Sequence, residues 1–331
     1  MLFGRLAYGS APRGCGGRGR IGAIRILLVV NPSASSVTAR ARVVIRKALA
    51  ADHDVEMAET SRRGHAQRLA QGAAAAGTEV VAVLGGDGTL NEAANGLVGT
   101  DAALAVLPGG STNVFARSIG LPNDPVDATG VLLEALAVGS VQPVGLGAVN
   151  GRSFLFHTGV GFDAEVVHQV ERRGALKRWA GHPLFIGAAI TTWFRHYDRT
   201  RPRMAVRFPD GDVVEDGSFT VVLNTSPYTY LGARPLDVAP EATLDRGLVC
   251  LTVRRLDLAT ILALLASALR TGQGAGGRRW TDYRTDLPGL RVTGHGPVPY
   301  QVDGDYLGEV DALDFRHQPD ALRLVLPPEG S

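Results

Sequence analysis

Two short runs of small and polar residues, Gly85-Gly86-Asp87-Gly88-Thr89-Leu90-Asn91-Glu92 and Gly109-Gly110-Ser111-Thr112-Asn113, carry the residue types that hold phosphate. Three glycines in the first run remove the Cβ atoms that would keep an anion away from the backbone. A helix starting there offers unpaired N–H groups and the positive end of its dipole. A carboxylate in such a loop repels phosphate, so Asp87 points to a bridging Mg2+ that takes oxygen ligands from both sides. Thr89 suits a helix cap or a phosphate contact. The plainer alternative for either run is a capped strand-to-helix turn that binds nothing.

Further candidates sit at other turns. Asn31-Pro32-Ser33 either touches a nucleotide or forms an Asx-type turn that stops a strand. Thr60 to His65 brings Arg62 and Arg63, which either screen phosphate charge or lie in a solvated loop. In Asp303-Gly304-Asp305, a carboxylate on a glycine turn could orient or deprotonate an attacking hydroxyl, which is the help phosphoryl transfer needs besides charge neutralisation. Asp303 is the first candidate and Asp305 the second; an Asp-Gly hairpin turn is the alternative. The chain has only two lysines, Lys47 and Lys177, and neither follows a glycine-rich loop, so a Walker-type phosphate site is excluded.

The elements that must position these residues follow from patterning. Apolar runs Ile24–Val30, Val80–Leu84 and Ala103–Leu107, with the shorter Val55–Ala58, read as buried strands. Helical patterns over Thr38–Ala51, Gly64–Ala76 and Leu90–Leu97 separate them. Strands alternating with helices imply a doubly wound parallel sheet, with both phosphate-type loops at neighbouring strand ends, where open α/β sheets bind ligands. After about Gly139 the pattern turns to β segments punctuated by Asn150-Gly151, Asp210-Gly211 and Asp303-Gly304, with helices near Pro183–Phe194 and Asp257–Arg270. We expect a Gly/Arg-rich disordered leader over 1–22, a nucleotide-binding α/β domain over 23–140 and a β-rich acceptor domain over 141–331, whose last residues could pack back on the first.

Composition narrows the class. A net charge of +2 is too small to imply a nucleic-acid partner, and 45% hydrophobic with 20% charged residues describes an ordinary folded chain. Two cysteines, Cys15 and Cys250, fit a reducing cytoplasm better than a disulfide framework. Oligomeric state stays open, a homodimer included.

The segments Asn31-Pro32, Gly85–Glu92, Leu107–Asn113, Phe115-Ala116-Arg117, Gly159-Val160-Gly161-Phe162-Asp163, Tyr230–Ala239 and Val302–Asp305 resemble the diacylglycerol kinase catalytic-domain family in its bacterial branch, related to sphingosine and ceramide kinases. The resemblance spans nearly everything after the leader. It implies an N-terminal α/β domain like that of NAD kinases and phosphofructokinases, a β-rich second domain, and ATP with Mg2+ in the cleft. It further implies nucleotide or metal contacts at Asn31, Thr60, Gly86, Asp87, Gly88, Thr89, Glu92 and Thr112, with Pro32, Gly85, Asn91, Gly110, Ser111 and Asn113 in the same loops. Asp303 would take the proton from a lipid hydroxyl at the membrane surface.

Two departures stand out. Val114 occupies a position where many relatives carry Asp. Asp245-Arg246-Gly247 replaces the Asp-Asp-Gly turn that often holds a structural Mg2+, so that site is expected to be lost or replaced by an arginine contact. Gly159–Ala164 fits a dinucleotide-binding pattern, but no acidic residue closes a following strand, so its glycines are expected to pass near the acceptor with Asp163 facing the cleft. NAD kinase, which shares the Gly-Gly-Asp-Gly-Thr loop, and a nucleotide- or lipid-binding protein without turnover remain competing readings. Arg172, Arg173, Lys177, Arg178 and Trp179 before the apolar stretch Pro183–Trp193 suggest a peripheral membrane contact, or a solvated charge run preceding a core helix.

Overall fold

A computed structural model describes residues 22–172, 201–269 and 278–328. The helix expected over Pro183–Phe194 and the cluster from Arg173 to Trp179 lie outside the described residues. Strands β1 (Arg25–Val30), β2 (Asp54–Glu59), β3 (Val80–Gly85) and β4 (Ala103–Pro108) pair in parallel in the order β2-β1-β3-β4. Helices α1 (Ala39–Leu49), α2 (His65–Ala75) and α3 (Asp87–Leu97) connect them, and α4 (Val114–Ser118) and α5 (Pro125–Val138) follow β4. Because successive side chains point to opposite faces, Ile26, Leu28 and Val30 join the core under α1 and α5. Leu27 and Val29 join the core under α2 and α3. Both faces are covered, which is the doubly wound arrangement expected. From β1 the chain moves first to one side and then to the other, so a topological switch point lies between β1 and β3.

The second half comprises β5 (Val141–Val149), β6 (Arg152–Phe154), β7 (His157–Val160), α6 (Phe162–Arg172), β8 (Met204–Arg207), β9 (Val213–Gly217) and β10 (Phe219–Leu223). It continues through β11 (Thr229–Leu231), β12 (Arg234–Leu236), β13 (Leu248–Val253), α7 (Leu258–Ala268), β14 (Thr281–Leu287), β15 (Gly289–Val302) and β16 (Asp305–Val325). All strands but the β11–β12 pair belong to one sheet of 14 strands. The join is β16. Its first part is antiparallel to β15, and its last residues lie parallel to β4 through Arg323↔Ala103 and Leu324↔Leu104.

Asn150-Gly151 and Asp303-Gly304 are hairpin turns with positive φ at both residues (47° and 84°; 47° and 81°), as tight two-residue turns between twisted strands require. Strand β7 is antiparallel to both β10 and β15, so Gly159–Ala164 belongs to no βαβ unit. The helix that follows, α6, was hidden because Asp163 and Glu165 in its first turn interrupt the apolar pattern.

Helices α2 and α3 meet where Gly96 has no side chain. A Cβ there would stand 2.5 Å from the Gln67 carbonyl oxygen and 3.0 Å from Ala70 Cβ. Gly96→Ala is expected to destabilise the fold by about 1–3 kcal/mol in urea unfolding. By contrast Gly130→Ala, in α5 with open space around it, should be neutral or stabilising by up to about 1 kcal/mol.

Candidate active site

The two glycine loops pack backbone against backbone. Gly109 N–H donates to the Gly85 carbonyl at 2.8 Å, and a Cβ on Gly109 or Gly110 would approach the Cα of Gly85 or Gly86 to 2.9 Å. Helix α3 begins directly after Gly86, with Asp87 in its first turn, a few residues earlier than the apolar pattern indicates. Its N-cap residue Gly86 supplies no side-chain cap. Asn31 ends β1 at the switch point, donating through Nδ2 to Thr89 Oγ1 at 2.8 Å and accepting through Oδ1 from Ser33 N–H at 3.0 Å. It therefore both makes the Asx-type turn and fixes the first turn of α3. Pro32 is exposed beside it, and Thr60, Ser111 and Thr112 stand just past strands β2 and β4 on the same edge.

Ser36 escaped the sequence reading. Its backbone N–H donates to the Gly109 carbonyl at 2.9 Å and its hydroxyl to the Gly110 carbonyl at 3.1 Å, bracing the second loop. Nothing in its local sequence marks it, since both partners lie more than seventy residues away. Asn113 closes that loop on itself. Its amide accepts from Gly110 N–H at 2.7 Å and donates to the Gly110 carbonyl at 2.9 Å and to Asn123 at 2.8 Å. It takes a left-handed backbone, φ 51°, which asparagine tolerates.

The acids divide into two kinds. Asp87 accepts from the N–H groups of Val114 and Phe115 at 3.0 and 3.2 Å, and so caps α4. Burial pushes its carboxyl up, the two N–H groups pull it back, and nearby Asp305 adds to the rise. Glu92 accepts from Gly64 and Ala66 N–H at 2.7 and 3.2 Å, and so caps α2, whose own N-cap residue is Gly64. Asp303 is 2% exposed and meets four donors: Asn91 Nδ2 and Leu155 N–H at 2.7 Å each, Phe156 N–H at 3.0 Å and His157 N–H at 3.1 Å. Burial raises its carboxyl to about 6 against the pull of those donors. Asn91, itself buried, is thereby a latch between α3 and the hairpin tip; it also donates to the Ser153 carbonyl and accepts from Arg152.

Asp305 differs. It is partly exposed, 3.8 Å from Arg63, and a Cβ on Gly88 would meet its Oδ2 at 3.0 Å. The turn thus buries its first acid behind α3 and presents its second over the start of α3, the reverse of the order in which the sequence ranks them.

The turn has its own support. Gly304 N–H donates to Gln301 Oε1 at 2.8 Å, and Gln301 Nε2 donates to Asp163 Oδ2 at 2.8 Å. Tyr228 donates its hydroxyl to the other oxygen of Asp163. Gly159 makes room for that carboxylate, because a Cβ there would lie 1.6 Å from Asp163 Oδ2. Asp163 therefore faces the interior behind the turn, not the cleft as expected. Asp245 and Arg246 are exposed at the other departure; the Thr243 hydroxyl first, and Arg246 more weakly, hold the Asp245 carboxyl down.

The profile of the Diacylglycerol kinase catalytic domain matches residues 25–149, the stretch that contains both glycine loops. The α/β half of the chain thus carries a diacylglycerol kinase catalytic domain. The chain is 29% identical over 306 residues to a protein of Pseudomonas aeruginosa strain UCBPP-PA14 named "Probable lipid kinase YegS-like", covering 92% of this chain and 94% of that one. It is 26% identical over 314 residues to the "Diacylglycerol kinase" of Bacillus subtilis strain 168, covering 92% and 97%. Among solved structures, a diacylglycerol kinase from Bacillus anthracis strain Sterne superposes with a TM-score of 0.69 at 21% identity, covering 92% of this chain and 97% of that one. That last likeness is one of fold. Within the family's frame, the glycine loops, the α3 start and the Asp303-Gly304-Asp305 turn converge on one crevice.

Two measurements check the electrostatics. Removing the Asp303 charge strands its donors, so Asp303→Asn is expected to cost about 3 kcal/mol or more of folding stability in denaturant melts. His157, buried against Tyr228 with ring centroids 4.5 Å apart, has its pKa lowered to about 4 by burial, against an attraction from Asp163. A histidine held neutral when folded gives stability that is full above 6.5 and lost as pH falls through about 4, about 3 kcal/mol in all. Stability measured between pH 7 and pH 4 should lose that part of its slope in His157→Asn.

Proposed function

We propose that this chain is an ATP-dependent kinase that phosphorylates a hydroxyl group of a lipid at a membrane surface, with Asp305 as the acid that meets the hydroxyl. The observation that carries this reading is the placement of a partly exposed carboxylate over the start of α3, beside the two packed glycine loops and where Gly86 supplies no side-chain cap. Kinship with proteins named lipid kinase and diacylglycerol kinase supports the lipid class.

The residues present fit a triphosphate. Gly85, Gly86, Gly109 and Gly110 let the two loops pack backbone on backbone at the strand ends, α3 starts there without a side-chain cap from Gly86, and Asn31 fixes Thr89 in its first turn. Among the described residues no group of three or more His, Cys, Asp or Glu could hold a metal ion. Asp87, Glu92 and Asp303 each spend their oxygens on backbone or amide N–H groups. That donor set suits a cation delivered with the nucleotide, with the outer lone pairs of Asp87 as the protein's share. Magnesium, when bound, neutralises charge across the phosphoryl oxygens.

In the transfer itself, Asp305 orients the acceptor O–H and takes its proton as the oxygen bonds to the terminal phosphorus and ADP leaves. Arg63 balances the charge gathered around Asp305. Gln301, held by Asp163, fixes the turn so that Asp305 need not search for its position.

Radiolabel transfer from ATP to mixed lipid vesicles, with NAD as a parallel acceptor, tests the reading. Asp305→Asn should lower kcat by about 100-fold or more with nucleotide affinity within a few-fold of wild type. Gln301→Ala is expected to lower kcat less. Label in NADP instead of lipid would overturn the assignment, and full activity in Asp305→Asn would remove its role.

A further inference from the structure

Helix α7 is turned inside out. Its inner face sets Thr260, Ser267 and Ala268 into the β-rich core, with Ile261 and Leu264 at the margin. Its outer face exposes Leu258, Leu262, Leu265 and Leu269, each 40–57% accessible. These are the exposed leucines among the described residues, and their spacing puts them on one stripe. No charged residue occurs between Leu258 and Leu269. A surface helix normally points such residues inward, so the stripe is suited to an apolar phase outside the fold.

The surroundings say which phase. Arg255 lies just before the helix, with a side chain that is 77% exposed and 3.6 Å from Asp257. Arg254 N–H donates to the Trp280 carbonyl at 2.9 Å, which brings the segment Arg278-Arg279-Trp280 to the same end of the helix. Arg278 and Arg279 are exposed, and the Arg278 guanidinium lies 5.3 Å from the Trp280 ring centroid. Leucines flanked by arginines and a tryptophan have the chemistry of the boundary between anionic headgroups and acyl chains. At eleven residues the helix is about 16 Å long, roughly half the thickness of a bilayer core, so it must lie flat.

The stripe is also tied to the candidate site. Asp237 N–H donates to the Ala268 carbonyl at 2.9 Å, linking the end of α7 to the chain after β12. The β11–β12 hairpin reaches α4, where Arg117 lies 3.5 Å over the Tyr230 ring and donates to the Gly232 carbonyl at 3.1 Å. One hairpin thus separates the stripe from the helix that Asp87 caps.

We infer that the outer face of α7, with Arg255, Arg278, Arg279 and Trp280, is a docking surface for an anionic lipid bilayer. The purpose rests on the lipid-kinase reading; the binding does not. The test is flotation of the full chain with vesicles of phosphatidylcholine containing about one-third phosphatidylglycerol. Wild type should float, Leu262→Glu/Leu265→Glu should bind at least tenfold less, and Arg278→Glu/Arg279→Glu should weaken binding chiefly at low salt. Both variants should melt like wild type and phosphorylate a monomeric short-chain acceptor at the wild-type rate. Failure of wild type to float, or undiminished flotation of the leucine variant, overturns the proposal. So does conversion of a wild-type dimer to monomer with flotation intact, since the stripe would then pair two copies. Flotation as expected without phosphorylation of any lipid would overturn the kinase reading and leave the docking surface standing.

Discussion

Buried carboxylates need N–H donors, and in this fold that need sets the shape of the crevice. An ionised acid taken from water without partners costs far more than a single hydrogen bond returns. Asp87 meets the requirement at the start of α4, Glu92 at the start of α2, and Asp303 with Asn91 and the Leu155–His157 backbone. The Asp87 and Glu92 bonds start from α3 itself, and Asn91 of α3 reaches Asp303, whose other three donors come from the Leu155–His157 backbone. One helix therefore fixes two neighbouring helices and the hairpin tip at once. The acid left over, Asp305, stands at the mouth.

That division explains why some of the site was legible in the sequence and some was not. The strands and their order follow from runs such as Val80–Leu84, whose composition admits few alternatives, and the glycine loops announce themselves by spacing. The roles of the acids do not. A carboxylate that caps a helix nearly thirty residues away has the same local sequence as one that binds a metal, so the sequence marks Asp87 and Glu92 as nucleotide or metal contacts without showing that their oxygens serve backbone N–H groups. The turn at Asp303 was visible, but which of its two acids faces the crevice depends on where Leu155 to His157 run, and no local pattern carries that.

The Gly159–Asp163 segment shows the same limit from the other side. Its glycines looked like an approach for a ligand. Gly159 makes space instead for the Asp163 carboxylate, which steadies Gln301 and through it the turn. Small residues are needed wherever two things come close, and the sequence does not say whether the second is a substrate or the protein itself.

Strand β16 has one more consequence. Because it is hydrogen-bonded to β15 at one end and to β4 at the other, the two halves of the chain share a single beam. One irregularity lies between Gln318 and Leu322, where the register with β5 shifts and Asp320 takes a φ of 51°, and another lies just after the turn, where the register with β15 shifts and Gly308 takes a φ of 104°. The contact between Asn91 and Asp303 ties the two halves a second time, across the crevice. The crevice is accordingly framed by one strand that runs through both halves and breaks its register beside the Asp303-Gly304-Asp305 turn and again at the far end.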